Sequence, residues 1–178
     1  KAQGYLKECM AAQDSSGGVI ECRVSGLPAG LGTPVFDKLD ACLGKALFSI
    51  GAVKAVEIGD GIDAARAKGS SNNDGFFHDA DGAVKKSTNH AGGVLGGISD
   101  GSDLILRAHI KPTPSISSPQ NTVNQDGEDI QIRIKGRHDP VIVPRAVVVV
   151  ESMTALTLVD ALLTGMGARM ENLKKVWK

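Results

Sequence analysis

Residues Asn89 to Gly101 read Asn-His-Ala-Gly-Gly-Val-Leu-Gly-Gly-Ile-Ser-Asp-Gly, so five of thirteen positions carry no side chain. Such a stretch cannot fill a core; it can only connect, or line something. It leaves backbone amides bare, and a large anionic ligand can approach bare amides closely. A second dense stretch, Lys111-Pro-Thr-Pro-Ser115, follows about ten residues later, and a third is Gly136-Arg-His-Asp-Pro140. Together the three offer a phosphate-sized set of donors, one fixed cation and one carboxylate.

The 178 residues suit one domain or a large part of one, and 42% hydrophobic residues suffice for a core. Aromatic residues are only 3%, so that core must be built of Val, Ile, Leu and Ala. Twenty basic residues balance twenty acidic ones, which removes the electrostatic case for nucleic acid or an anionic membrane surface. Three cysteines, Cys9, Cys22 and Cys42, with no Cys-x-x-Cys spacing, argue against a disulfide framework or a zinc site and fit a reducing compartment, the cytoplasm. No run approaches the ~18 consecutive apolar residues of a bilayer span, and no signal peptide is visible. The chain opens on Lys1, and its first residues read like the interior of a longer protein, so a fragment is expected.

Ile20, Cys22 and Val24 alternate with Glu21 and Arg23, the pattern of a half-buried strand over 19–24. Thr33 is placed as an N-cap and Pro34 as a first helical residue. Val35, Leu39, Leu43, Leu47 and Ile50 then predict an amphipathic helix over 34–50. A strand is expected over 53–58. Residues 59–89 are rich in Gly, Asn, Asp and Ser without a sustained period, and 61–88 is read as a long, mobile loop within a single domain spanning 1–178. Leu104, Leu106, Ala108 and Ile110 share one face of the next strand. Residues 111–120 hold three prolines and cannot be regular. Asp126-Gly127 marks a turn before Ile130, Ile132 and Ile134, which alternate as a strand. Pro144 opens a long helix. Four consecutive valines at 147–150 pull toward strand, but the stripe from Met153 to Leu162 is stronger, and Gly165 is expected to end the helix. A short last helix follows. The order predicts an α+β fold with helices on one face of an antiparallel sheet.

The glycine spacing is not the Gly-x-Gly-x-x-Gly dinucleotide fingerprint, so an ordinary dinucleotide oxidoreductase is the weakest reading. On pattern alone the stretch reads equally as a site of close ligand approach or as a turn between strands. Lys111, Thr113 and Ser115 can hold a phosphate, though a rigid surface loop is the commoner meaning of such a segment. Arg137 can grip a phosphate or carboxylate with two parallel bonds, and Asp139 can act as a base or anchor a ring nitrogen, while a charged turn is the plainer alternative. His138 is ambiguous. His78, His90 and His109 are scattered, and Asp60, Asp63, Asp74, Asp79 and Asp81 read as a solvated loop, so no metal is expected.

Six segments in order resemble the chorismate synthase family: Gly26 to Leu39, Ser49 to Gly61, Asn89 to Ser99, Lys111 to Ser115, Gly136 to Pro140, and Arg145 through Glu151-Ser-Met153 to Asp160. The resemblance implies a β-α-β sandwich and conversion of 5-enolpyruvylshikimate 3-phosphate to chorismate by 1,4-elimination of phosphate, a step of aromatic amino-acid biosynthesis. It implies reduced FMN as cofactor, a cytoplasmic homotetramer, and no nucleic-acid or membrane partner. Whether NADPH-linked flavin reduction accompanies the synthase is left open. By matching position, the family's flavin contacts fall on Gly51, Ala52, Gly96, Lys111, Pro112, Thr113, Pro114, Ser115 and Arg137. Arg137 also meets substrate, and Asp139 is the catalytic carboxylate. Two positions depart from the family pattern: Val148, where proline is usual, and Pro114, where a small residue such as serine is usual. The family's two acid histidines, its substrate arginines and an Arg-Ser-Ser flavin contact have no counterpart in this sequence. The chain is therefore expected to be the C-terminal part of a synthase, inactive or nearly so by itself. The alternative from another class is a non-catalytic core that binds flavin or self-associates.

Overall fold

The structure, a computed structural model, describes residues 2–136 and 138–177. Its centre is a three-stranded antiparallel sheet in the order β1-β7-β2, formed by β1 (Gly18–Val24), β2 (Val53–Ile58) and β7 (Leu104–Ile110). The middle strand reads most plainly in the sequence: Leu104, Leu106, Ala108 and Ile110 are all buried and their neighbours half-buried. Gly18 pairs with Ile110 and Val24 with Leu104, while Val53 meets Ile110 and Ile58 meets Leu106. This register puts the apolar set of all three strands on one face, where a one-residue slip would turn it to water. The opposite face carries charge instead: Arg107 bonds Glu21 (2.8 Å) and the Gly59 carbonyl (2.7 Å), and Arg23 pairs with Asp103 (2.6 Å).

Two helices cover the apolar face. α2 (Leu39–Phe48) buries Leu39, Leu43 and Leu47, spaced at i, i+4, i+8; α4 (Val143–Met166) buries Val150, Thr154 and Leu158 at the same spacing. The buried Thr154 hydroxyl is satisfied by the Val150 carbonyl at 2.8 Å. The valine run at 147–150 is helical, because its last member joins the core while the others face outward. Val147, Val148, Leu156, Val159 and Leu163 are exposed, leaving α4 an uncovered apolar stripe. By length and composition α4 could cross a bilayer, yet it carries Glu151 and Asp160 and packs on α2 and β1.

Two helix boundaries differ from the sequence reading. α2 begins at Leu39, not Pro34, because Thr33 and Asp37 exchange backbone bonds (2.8 and 3.1 Å) in a tight turn. Its first amide, on Leu39, donates to the Gly97 carbonyl (2.8 Å), so main chain from the glycine stretch takes the part assigned to Thr33. α4 runs past Gly165, and Gly167 follows its last residue.

Smaller elements complete the chain. α1 (Ala2–Ala11) precedes β1 and had no clear signal in the sequence. The segment after β2 holds a 3-10 turn (Gly61–Arg66), α3 (Gly69–Asn72) and a hairpin of β3 (Phe76–His78) with β4 (Val84–Lys86). A minimal hairpin, β5 (Val94–Leu95) with β6 (Ile98–Ser99), turns through Gly96-Gly97. β8 (Gln120–Val123) and β9 (Asp129–Ile132) form an outlying hairpin, with Ile134 beyond its end. α5 (Met170–Val176) closes the order.

Candidate functional site

Seven of the residues singled out in the sequence meet at the end of β7 marked by Ile110. The Gly51-Ala52 turn leads into β2, and the Lys111 amide donates to the Ala52 carbonyl at 2.9 Å. Ala52 holds φ +71, a left-handed conformation rare for a residue with a side chain. From Lys111 the chain leaves the sheet through Pro112, Thr113, Pro114 and Ser115. Pro114 is held by its carbonyl, which accepts from Gln120 Nε2 (3.2 Å). Lys111 is exposed and forms no ion pair among the described residues. The Thr113 hydroxyl is buried and has no hydrogen-bond partner among the described residues.

Ser115 shares a hollow of 190 Å³ with Gly136, His138 and Asp139, so the end of the second dense stretch and the third stretch face one space. Asp139 Oδ2 accepts from Arg145 Nη2 at 2.7 Å, a partner on α4 that the sequence did not single out. Arg145 is largely exposed, which limits that pair to roughly 0–1 kcal/mol. His138 Nε2 lies 3.0 Å from the Ile134 carbonyl. Arg137, expected to grip flavin and substrate, lies outside the described residues. The sequence reading also missed Asp14, Ser15 and Ser16, which thread between the two stretches. Ser15 Oγ donates to the Thr113 carbonyl (2.6 Å), and the Ser16 amide to the Pro140 carbonyl (2.8 Å). Their only signal was an Asp-Ser-Ser-Gly-Gly run directly before a strand.

The glycine stretch does not join this group. It packs at the other end of β7, roughly 20 Å away at ~3.3 Å per residue. Most of its glycines serve packing rather than bare amides, which corrects the reading of the stretch as an open bed. A Cβ on Gly92 would stand 2.2 Å from the Gly59 nitrogen, one on Gly93 2.7 Å from the Asp103 carbonyl, and one on Gly97 2.6 Å from Lys38 Cγ. The Gly92 and Gly93 amides are spent on the Asn89 carbonyl (3.1 Å) and Asn89 Oδ1 (2.9 Å). Gly96 alone of the four faces open space, at φ +61 in a two-residue turn whose second residue, Gly97, has φ +86.

A buried ionic knot fixes this second region. Lys86 Nζ bonds Asp74 Oδ2 (3.1 Å), Asn89 Oδ1 (3.0 Å) and Asp100 Oδ2 (2.7 Å). The side chains of Lys86, Asp74 and Asp100 are 4%, 3% and 8% exposed, so Asp74 is not the solvated loop residue its sequence neighbours suggested. Burial pushes the Asp74 carboxyl up. The Thr88 hydroxyl (2.7 Å), the His90 and Ala91 amides (2.8 and 3.1 Å) and Lys86 outweigh it and hold the group well below the usual carboxylate range. Asp100 is lowered in the same way, burial opposed by Lys86 and Ser102. Nearby, His90 Nδ1 lies 2.6 Å from Asp60 Oδ2. On the charged sheet face the His109 ring lowers Glu57. A hollow of 660 Å³ between α2 and α4 holds none of the expected site residues.

Sheet and helices define an α+β chain in which Lys111, the Thr113 hydroxyl and the Asp139 carboxylate lie toward the same end of the sheet. A sequence profile described as chorismate synthase matches residues 1–163. A chorismate synthase of Lachnoclostridium phytofermentans is 64% identical over all 178 residues, and one of Methanocella arvoryzae 56% over 92% of the chain. A crystal structure of a chorismate synthase superposes with a TM-score of 0.76 over 97% of the chain, at 33% identity. The chain belongs to the chorismate synthase family. It spans about half the length of these relatives: 48% and 45% of the two sequences, and 45% of the solved chain.

Proposed function

We propose that this chain is the part of a chorismate synthase that carries one end of the flavin site and the catalytic carboxylate. The reaction is the 1,4-elimination of phosphate from 5-enolpyruvylshikimate 3-phosphate, with reduced FMN as cofactor, in a cytoplasmic homotetramer. The observation that carries this reading, beyond family membership, is the hollow that Ser115, the last residue of the Lys111–Ser115 loop, shares with the Asp139 turn.

The residues present fit the cofactor's anionic end. Among the described residues Lys111 offers an exposed ammonium without an ion pair, and the buried Thr113 hydroxyl has no hydrogen-bond partner, a place that a phosphate oxygen would fill. At 190 Å³ the hollow falls short of the roughly 300–1,000 Å³ typical of small-molecule sites, which accords with one part of a larger cleft. Reduced FMN, held there, would supply electron density to the substrate ring. This chain's own share is to hold phosphate at Lys111, Thr113 and Ser115, and to accept a proton at the Asp139 carboxylate. Arg145 keeps that carboxylate oriented through Oδ2. The roles of Gly51 and Ala52 are main-chain ones, Gly96 stands apart at the other end of β7, and Arg137 is the proposed second cation for flavin and substrate.

The test is titration of the chain with FMN, followed by flavin fluorescence, alongside chorismate formation under anaerobic reducing conditions. Saturable quenching with little or no turnover is expected. Absence of saturable binding overturns the flavin reading; robust turnover overturns the expected inactivity. A second reading, a self-associating core without catalysis, is favoured by the uncovered stripe on α4; its signature is self-association in sedimentation together with no saturable FMN binding in the same sample.

A further inference from the structure

The Asp14–Ser16 segment touches both halves of the proposed site. Ser15 reaches one way through its hydroxyl, which donates to the Thr113 carbonyl at 2.6 Å. The next residue reaches the other way, its amide donating to the Pro140 carbonyl at 2.8 Å, one residue past Asp139. Asp14 Oδ1 accepts from the Ser15 amide (2.7 Å) and both residues line the hollow. Behind them, Gly17 must be glycine, since a Cβ there would stand 2.3 Å from the Ile110 carbonyl.

The segment is aimed by the end of α1. The Asp14 amide bonds the Cys9 carbonyl (2.9 Å) and the Gln13 amide the Met10 carbonyl (3.1 Å), with Gln13 at φ +57. This is the paired-bond helix ending in which the left-handed position is usually glycine. A glutamine held there marks a backbone whose direction is fixed by its surroundings. Ser118 completes the fixation from the far side of the loop, its hydroxyl bonding the Ala12 and Gln13 carbonyls (3.1 Å each).

We propose that Ser15 is a positioning residue, oriented by Asp14, that sets the Lys111–Ser115 loop at its distance from Asp139 and so tunes the grip on the flavin phosphate. The inference rests on the flavin reading above and adds to it a residue that does not itself touch the cofactor. Because the loop takes the phosphate and not the ring system, Ser15 governs preference for FMN over riboflavin.

The experiment measures FMN and riboflavin affinities by fluorescence for the unsubstituted chain, Ser15→Ala, Ser15→Thr and Lys111→Ala. Ser15→Ala is expected to weaken FMN about fivefold to tenfold, the loss of one part-buried hydrogen bond, while riboflavin changes less than about twofold. Ser15→Thr, which keeps the hydroxyl, should restore most of the FMN affinity. Equal weakening of both flavins by Ser15→Ala, or no weakening while Lys111→Ala still lowers FMN affinity, overturns the positioning role and leaves the flavin reading standing. If the unsubstituted chain fails to bind FMN, both fall.

Discussion

Replacing Lys86 by Met tests whether the buried knot holds the glycine stretch in place. Methionine keeps most of the methylene stem, so little cavity opens, and the change is chiefly the removal of one ammonium from Asp74 and Asp100. Removing one partner from a buried ion pair costs about 3–5 kcal/mol. The Thr88 hydroxyl and the His90 and Ala91 amides remain on Asp74, which favours the lower end of that range, ~3 kcal/mol. For a chain of this size that is a fall in Tm of about 6–12 °C. The sign with pH follows from both carboxyls being held low in the folded state. Their contribution is complete above the unfolded value near ~3.9 and is lost as pH falls through the lower folded values. The penalty of Lys86→Met should therefore be largest near neutrality and shrink below about pH 4, where the variant's carboxylates take up protons. Urea unfolding followed by circular dichroism at several pH values, with hydrogen exchange at the Gly92 and Gly93 amides, reads both effects. A loss under about 1 kcal/mol, or one independent of pH, would refute the reasoning.

Gly92→Ala should destabilise the chain severely, by about 3 kcal/mol or more, because its Cβ would lie 2.2 Å from the Gly59 nitrogen at φ +63, whereas Gly96→Ala meets open space and should cost only the ~1–2 kcal/mol of a left-handed alanine; thermal melts of the two distinguish them. Leu106→Ala, at a fully buried position of β7, should cost about 2.7–5.0 kcal/mol by denaturant titration. Asp139→Asn, in a chain with full synthase activity, should lower turnover by about 10²–10⁴ while FMN affinity stays nearly unchanged, as stopped-flow turnover and flavin titration would report; loss of flavin binding with an intact fold would remove Asp139 from the role of base.

What the sequence made legible follows from the range of the forces involved. The alternation in β1 and β7 and the four-residue spacing of Leu39, Leu43 and Leu47 are local patterns with one sensible burial, and the α+β layering follows from them. The start of α2 was not legible, since the acceptor for its first amide is a carbonyl almost sixty residues later in the chain. The same distance hides the meaning of the glycines. Whether a missing side chain admits a ligand or a neighbouring backbone depends on what stands opposite, and for Gly92 that is Gly59. Asp74 read as an ordinary loop charge and Lys86 and Asp100 were not singled out, because nothing local records that all three turn inward. At the site, Lys111–Ser115 and Asp139 came from the ordered family motifs. The Asp14–Ser16 link between them is visible only when a segment almost one hundred residues upstream is seen against Thr113.

The 24-residue α4 is a rod about 36 Å long whose outward side is aliphatic over much of its length. In water such a rod acts as an adhesive edge, and patches of that extent seek cover. This chain handled alone should therefore sediment as more than one copy at high concentration and disperse with mild detergent. Charged substitutions at Val148, Leu156 and Val159 should release single copies while leaving the sheet end that bears Lys111 undisturbed.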